Sequence, residues 1–232
     1  TSNPTITIGV PVYNGERFLR KCLDSLLTQT FTDFEIIISD NASTDSTSSI
    51  CLEYAKKDKR INYIRQEKNI GLTPNYHFTV KKAVGKYFMW APADDYYLPE
   101  YIKKNIDVLE SDETVVSSTS DFRWFYVDDV DIVSHQKEQL NNERTDIRYT
   151  RSYYGTHDER VLSFLKNYTT AEMYAIHRTD KLKEDFLPRA FWMWDHAVAF
   201  NMIKHGNFHA LDEILSYKYT HGISRGTINS LR

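Results

Sequence analysis

Strand-like and helix-like segments alternate through the first 120 residues, and this alternation constrains the fold more than any other feature of the chain. Residues 5–12 form a β-branched, apolar run, and residues 15–29 repeat apolar side chains at helical spacing. Further strands are predicted at 34–39, 61–65, 86–91 and 114–120, with a helix between each pair. Successive βαβ units predict an α/β fold with a mostly parallel central sheet flanked by helices.

The second half of the chain has a weaker pattern and predicts a smaller, mixed region. Residues 122–127 alternate aromatic side chains as a strand does, and the polar segment 128–151 has no sustained period and is predicted to be a loop. The remaining predicted elements are a helix at 158–167, a strand at 171–176, a helix from Asp195 to Gly206 and a strand at 208–219.

Composition excludes several classes of protein. The chain carries 29 basic and 32 acidic residues, whereas a nucleic-acid-binding protein usually has a basic excess. No apolar run approaches the roughly 20 residues that span a bilayer, so no transmembrane segment is predicted. No signal peptide is recognisable, so a cytoplasmic location is expected, with a peripheral position at a membrane left open. A start at Thr1 rather than methionine is compatible with a piece of a longer multidomain chain.

Two adjacent carboxylates, Asp94 and Asp95, follow the predicted strand at 86–91. In parallel sheets, ligands bind at the carboxyl ends of the strands. Neighbouring carboxylates repel each other, and a divalent cation such as Mg²⁺ or Mn²⁺ relieves that repulsion because it prefers oxygen ligands. The alternative is an ordinary turn, in which Asp is common.

The ends of the first two strands carry candidate nucleotide contacts. Asp40 ends the second strand, where its carboxylate could accept a hydrogen bond from a base N–H or a ribose hydroxyl. The alternative is a helix-capping cluster, which fits Asp45 better than Asp40. Tyr13, at the end of the first strand, could stack on a planar base, and ordinary packing is its alternative.

Several motifs, taken in order, resemble glycosyltransferase family 2. They are Pro-Val-Tyr-Asn at 11–14, Ser-Asp-Asn-Ala-Ser-Thr-Asp at 39–45, Asn-Ile-Gly-Leu at 69–72, Asn-Tyr at 75–76, Ala-Val-Gly-Lys-Tyr at 83–87 and Ala-Asp-Asp at 93–95. The resemblance covers roughly residues 5–116. It implies the Rossmann-like GT-A fold and a reaction that inverts the anomeric centre of the sugar.

The resemblance also implies roles for residues in the first half, 1–120, which would bind the nucleotide sugar. The residues implied to contact the nucleotide are Pro11, Val12, Tyr13, Glu16, Asp40, Asn75 and Asp94. Asp94 and Asp95 would correspond to the aspartate motif that meets the ribose and the metal-bound diphosphate, with Mn²⁺ or Mg²⁺ as the metal. Many family members carry a further aspartate at the place of Pro92 or Ala93, so which of the two binds the metal directly stays open.

The second half, 121–232, would be the acceptor-binding and catalytic-base half of the same single domain. Its Trp-Met-Trp-Asp-His segment resembles a Glu-Asp segment of the family, and by that resemblance Asp195 would be the catalytic base. The alternative is that Asp195 only caps a helix. Trp192 and Trp194 could stack on an acceptor sugar or pack in the core. His221 lies in a segment similar to the family's Tyr-Arg-x-His element and could complete the metal site or serve a structural role.

The expected function is transfer of a sugar from a nucleotide-diphosphate sugar to a hydroxyl of a glycan or glycolipid, assisted by a divalent metal. One alternative is a catalytically silent sugar-nucleotide-binding module of a larger transferase. Another is a sugar nucleotidyltransferase, which would need a glycine-rich phosphate loop near the first strand. The segment 10–15 does not supply such a loop.

Overall fold

The computed structural model describes residues 3–125, 147–148, 150–167, 171–184 and 194–219. The first part of the chain alternates strands and helices as the sequence predicted. Its elements are β1 (Ile6–Val12), α1 (Leu19–Leu27), β2 (Phe34–Asp40), α2 (Thr47–Lys57), β3 (Ile61–Arg65), α3 (Leu72–Lys82) and β4 (Tyr87–Trp90).

The rest of the described chain adds shorter elements around two long strands. These elements are β5 (Tyr96–Tyr97), α4 (Tyr101–Ser111), β6 (Val115–Phe125), β7 (Ile147–Arg148), α5 (His157–Asn167), a 3₁₀ turn (Ala171–Tyr174), β8 (Ile176–Arg178), α6 (Thr179–Glu184), α7 (Trp194–His205) and β9 (Asn207–Tyr219). Of the helices that the structure describes, none has both the length and the apolar character to cross a bilayer.

The described strands form one mixed sheet in the order β3-β2-β1-β4-β8-β6-β9-β5, with β7 beside β6. β1 pairs in parallel with β2 and β4, and β2 pairs in parallel with β3. β8 is antiparallel to both β4 and β6, so β6 and its parallel partner β9 run in the direction of β1. The carboxyl ends of β1, β2, β4, β6 and β9 therefore lie at one edge of the sheet.

Helices cover the parallel strands on both faces, which explains why β1 and β2 have almost no polar residues at their centres. All seven residues of β1 are buried. On one face, α1 contributes a buried stripe formed by Leu19, Cys22, Leu23 and Leu26. On the other face, α3 comes so close to β1 that a Cβ on Gly9 would lie 2.6 Å from Thr79 Oγ1.

One predicted strand, at residues 171–176, is wrong. The chain instead forms the 3₁₀ turn and then the short strand β8. Ala175 N donates to Glu172 O at 3.3 Å, which closes the turn. The misassignment has a physical reason, because a short apolar run has no period that separates a strand from a helical turn.

A single strand, β6, takes the place of the two strands predicted at 114–120 and 122–127. Register shifts on either side of Asp121 mark where the two predicted strands join. β6 crosses residue 120, where the two predicted halves meet, and it pairs with β9 along most of its length. Both halves therefore contribute strands to the same sheet. Residues 128–146 of the predicted loop, and the last two residues of the strand predicted at 122–127, lie outside the described residues, whereas β7 lies within the predicted loop.

Gly85 lies at the turn between α3 and β4, directly against the backbone of β1. A Cβ at this position would lie 2.6 Å from Thr7 N and 2.8 Å from Ile6 C. The Gly85 N–H also donates to Thr7 Oγ1 at 3.0 Å. Backbone atoms of a central strand have little room to move, so this close contact requires glycine.

Replacing Gly85 with alanine should therefore strain the junction between β1 and β4. We expect Gly85→Ala to lower the free energy of unfolding by about 1–3 kcal/mol, the usual cost of overpacking. Val84→Ala is the matched control because Val84 is next in the chain and 50% exposed, and its effect should stay within about 0.5 kcal/mol. Urea unfolding monitored by circular dichroism measures both. Equal stability of the two variants would contradict the argument.

His177 of β8 is a buried, neutral histidine. Its Nε2 lies 2.9 Å from Met173 O, a carbonyl that can only accept, so Nε2 carries the proton. Its Nδ1 then accepts from the Ser117 hydroxyl at 2.8 Å. Burial lowers the pKa of His177 from 6.5 to about 4, partly opposed by the Met173 hydrogen bond.

The lowered pKa makes stability depend on pH. Because the unfolded chain binds the proton first, the stabilisation by neutral His177 is present above pH 6.5 and is lost as pH falls towards 4. Between pH 7 and pH 5 this loss should be about 2 kcal/mol. His177→Gln should be less stable at pH 7 but should lack this part of the pH dependence, as measured by urea unfolding at both pH values. His157→Gln, at an exposed histidine, should retain the wild-type pH dependence.

Candidate active site

The loops that follow β1 and β2 are hydrogen-bonded to each other at the carboxyl edge of the sheet. Asn14 adopts a left-handed backbone conformation, with φ of 51°. Its Oδ1 accepts from Thr44 N at 2.8 Å, and its N–H donates to Ser43 Oγ at 2.9 Å. Gly15 N donates to Thr47 Oγ1 at 2.8 Å. The two loops therefore form one surface on which a ligand could rest.

The four nucleotide candidates from the first loop differ in exposure. Pro11 and Val12 are buried at the end of β1, whereas Tyr13 is 36% exposed. Glu16 is exposed, and its Oε2 accepts from the Ser46 N–H at 2.9 Å, just before α2 begins. Glu16 therefore helps to hold the second loop. Of these four, Tyr13 offers the largest side-chain surface to a planar base.

Asp40 ends β2 and is completely buried, but its carboxylate is surrounded by donors. Oδ1 accepts from Ser43 N at 2.9 Å. Oδ2 accepts from the Tyr63 hydroxyl at 2.9 Å and from Arg65 Nη1 at 2.8 Å. Burial raises the pKa of Tyr63, the hydrogen bond with Ser48 opposes that rise and the hydrogen bond to Asp40 adds to it, so this hydroxyl stays a donor.

Arg65 is a site residue that the sequence analysis missed. It is paired with Asp40 in the β2–β3 register, its Nη2 donates to Ser43 O at 2.8 Å, and its side chain is 43% exposed. The guanidinium therefore lies between the buried Asp40 carboxylate and the solvent. The sequence did contain a signal for Arg65. Tyr63 and Arg65 are two residues apart in β3, so their side chains share one face of the strand, beside the end of β2.

Asn75 lies beneath this surface and connects α3 to β2. Its Nδ2 donates to Ser39 O at 2.9 Å, and its Oδ1 accepts from Ser39 Oγ at 2.6 Å. Asn75 is buried, so its described contacts hold the end of β2 in place. The implied contact of Asn75 with a nucleotide stays a prediction.

Asp94 and Asp95, which follow β4, have different environments. Asp94 is partly exposed, whereas Asp95 is buried. Asp95 Oδ2 accepts from Lys218 Nζ at 3.1 Å, and Oδ1 accepts from Tyr219 N at 3.4 Å, both at the end of β9. Burial raises the pKa of Asp95, and the Lys218 ammonium and the Tyr219 N–H oppose that rise. No pattern in the sequence predicts that Lys218 is buried here.

Tyr174, in the 3₁₀ turn, connects the two halves of the site. Burial raises the pKa of Tyr174, and the carboxylates of Asp95, Asp94 and Asp195 raise it further, in that order. Tyr76 of α3 is hydrogen-bonded to Tyr174. Burial raises the pKa of Tyr76, and Tyr174, Asp94 and Asp95 raise it further. Carboxylates about 100 residues apart in the sequence (95 and 195) therefore both act on the hydroxyl of Tyr174, a partly buried residue.

Asp195 lies in the first turn of α7 and is partly buried. Its Oδ1 accepts from His196 N at 2.9 Å, and His196 Nδ1 lies 2.8 Å from the same oxygen. Trp194 packs edge-on against Tyr76, with ring centroids 5.2 Å apart, and is also near Trp90. The predicted stacking of Trp194 on an acceptor sugar stays a prediction. Trp192 and His221, the other two predicted site residues, lie outside the described residues.

The described residues fit a cation that is shared with a bound substrate better than a metal held by protein alone. Within the described part of the chain, no group of three or more His, Cys, Asp or Glu side chains could hold a metal ion. Mg²⁺ and similar ions are commonly bound through one or two carboxylates together with substrate phosphates. The partly exposed carboxylate of Asp94 suits that arrangement. The Asp95 oxygens already accept hydrogen bonds from β9.

Comparisons with known proteins agree with this geometry. A family model for glycosyl transferase family 2 matches residues 7–183. Glycosyltransferase GlyA of Streptococcus pneumoniae is 42% identical over 98 residues, which make up 42% of this chain and 14% of GlyA.

Two solved structures have the same fold. S. aureus TarS (residues 1–349) in complex with UDP-GlcNAc superposes with a TM-score of 0.70 at 19% identity, over 93% of this chain and 58% of that chain. The mannosyltransferase PcManGT from Pyrobaculum calidifontis, in complex with GDP-Man and Mn²⁺, superposes with a TM-score of 0.63 at 16% identity, over 94% and 57%.

These structural likenesses confirm the GT-A fold class. The chain spans less than two thirds of the length of each of these three proteins. The family model, in contrast, covers most of the chain. The chain therefore belongs to glycosyl transferase family 2.

Proposed function

We propose that this chain is the donor-binding and catalytic unit of an inverting glycosyltransferase, which moves a sugar from a nucleotide-diphosphate donor to a hydroxyl of a glycan or glycolipid. The observation that carries the proposal is the position of Asp195 at the start of α7, where its neighbour Trp194 packs against Tyr76 with ring centroids 5.2 Å apart. The Asp195 carboxylate also raises the pKa of Tyr174, as the carboxylates of Asp95 and Asp94 do. A carboxylate that could accept a proton is therefore close to the pair that would meet the donor diphosphate.

The donor is proposed to bind at the ends of β1 to β4, within residues 1–120. Pro11, Val12, Tyr13 and Glu16 would border the nucleotide. The base would meet Asp40 and Arg65, a hydrogen-bond acceptor and a donor that lie 2.8 Å apart at the ends of β2 and β3. The nucleotide sugars in the TarS and PcManGT structures support a donor of this class.

A divalent cation, Mn²⁺ or Mg²⁺, would accompany the donor. When bound, such an ion stabilises the charge that develops on the leaving diphosphate. Asp94 and the donor phosphates would both bind this cation, and His221 is the second proposed protein ligand. The Mn²⁺ in the PcManGT structure supports this choice of metal.

The chemistry proposed for the second half, residues 121–232, is a single displacement. The acceptor hydroxyl oxygen bonds to the anomeric carbon as the bond from that carbon to the diphosphate breaks, and Asp195 takes the hydroxyl proton. One displacement at the anomeric carbon inverts its configuration. His196, bonded to Asp195 Oδ1, orients the carboxylate. Trp192 and Trp194 would stack on the acceptor sugar.

Donor binding can be tested without knowing the sugar. We expect one of UDP, GDP, dTDP and CDP, added with Mn²⁺ at about 100 times its Kd, to stabilise the protein by about 2.7 kcal/mol. The corresponding rise in Tm is about 5–10 °C. Asp94→Asn should lose the Mn²⁺-dependent part of this rise, whereas Asp158→Asn, at a carboxylate that is 91% exposed, should keep it. Absence of any shift with all four nucleotides would contradict the proposed donor site.

The role of Asp195 can be separated from binding. Asp195→Asn should lower kcat by about 10²- to 10⁴-fold, the usual contribution of a general base, while the Kd for the selected nucleotide stays unchanged. The assay is release of nucleoside diphosphate from the matching nucleotide sugars, with simple glycans as acceptors. Asp158→Asn again serves as the control. Undiminished transfer by Asp195→Asn would reject Asp195 as the base.

A further inference from the structure

Asp95 and Lys218 form a buried ion pair directly beside Asp94. Lys218 Nζ donates to Asp95 Oδ2 at 3.1 Å, and the two side chains are 9% and 7% exposed. Tyr219 N donates to the other oxygen, Oδ1, at 3.4 Å. Both oxygens of Asp95 are therefore engaged by the last two residues of β9.

The surroundings of Lys218 are aromatic. Its Nζ lies 4.4 Å from the centre of the Tyr174 ring and 5.5 Å from that of Phe122. Ring faces attract a cation, and they also exclude water from it. The next residue, Tyr219, packs against Phe18 in the loop after β1, with ring centroids 4.6 Å apart. The end of β9 is therefore attached at two points to the loops of the proposed donor site.

These contacts are unfavourable for Asp95 as a metal ligand. A divalent cation on the Asp95 carboxylate would lie close to the Lys218 ammonium in a poorly solvated site, where like charges repel strongly. Moving Lys218 away would leave a buried ammonium without its partner, which is costly. Asp94, in contrast, is partly exposed at the same edge of the sheet.

We propose that Asp95 is the counter-ion of Lys218 and not a metal ligand. The pair occupies both Asp95 oxygens with partners from the end of β9. Asp94 is then the carboxylate of this motif that faces the cation and the donor diphosphate. The assignment of Asp94 rests on the proposed function, whereas the pairing of Asp95 with Lys218 does not.

A double-mutant cycle in the protein without ligand tests the pairing. Lys218→Met and Asp95→Asn each leave one buried charge or polar group without its partner, and we expect each to lower Tm by about 6–15 °C. The double variant should stay within about 4 °C of wild type, because it removes both charges and methionine packs well against aromatic rings. Lys218→Arg, which keeps the charge, should retain a higher Tm than Lys218→Met.

The control is an exposed ion pair that has one partner on the same strand, β9. Lys104 of α4 pairs with Glu213 of β9, and both side chains are more than one-third exposed. Lys104→Met, Glu213→Gln and their double variant should each change Tm by no more than about 3 °C. If the losses of Lys218→Met and Asp95→Asn simply add in their double variant, or if the double variant does not fold, the proposed pairing is overturned.

Nucleotide binding then tests the assignment of the metal ligand. Isothermal titration calorimetry would measure the Kd of the nucleoside diphosphate selected above, with Mn²⁺. We expect the Asp95→Asn/Lys218→Met variant to bind within about threefold of wild type. Asp94→Asn should bind at least about tenfold more weakly, the scale seen when support of a metal site is removed. An equal loss in both would overturn the assignment. If wild type binds no nucleotide, the proposed function fails, but the cycle still decides the pairing.

Discussion

Burial of β1 on both faces is the constraint on which the rest of the structure depends. A strand between two layers of helices must satisfy its backbone groups through its neighbours, and β1 does so by pairing in parallel with β2 and β4. Parallel pairing forces the connecting helices to cross over and brings all carboxyl ends to one edge. The close approach of α3 at Gly9 and of the Gly85 turn at Thr7 shows how little space the layers leave.

The same constraint collects acidic side chains at that edge, and the structure treats each of them differently. Asp40 is paired with Arg65 and Asp95 with Lys218, whereas Asp195 Oδ1 accepts from the backbone N–H of His196. Asp94 differs from Asp95 in remaining partly exposed. Arg65 and Lys218, cations that the fold itself supplies, thus reduce the repulsion that Asp40 and Asp95 contribute to this edge.

The sequence was sufficient for local structure and for the edge at which the site lies. Period and turn residues predicted β1 to β4, β9 and most helices, because those patterns report burial on one or two faces. The sequence was not sufficient for residues whose role depends on a partner that is distant in the chain. Nothing near Lys218 in sequence indicates burial against Asp95. The spacing of Tyr63 and Arg65 shows that they share a face of β3, but only the β2–β3 register places Arg65 beside Asp40. The 3₁₀ turn was missed because short apolar runs are ambiguous.

The pairing of β6 with β9 also has a consequence for how the chain is made. Val115 pairs with Asn207, and Phe125 with Tyr219, so this ladder joins segments that leave the ribosome far apart in time. Until β9 has been synthesised, β6 is an edge strand with unpaired backbone groups, which is a template for aggregation. Long-range pairings of this kind also slow folding, because the loop must close before the contacts form. The strand that completes the sheet carries Lys218, so the ion pair at Asp95 can form only after this residue, more than 120 positions downstream, has emerged.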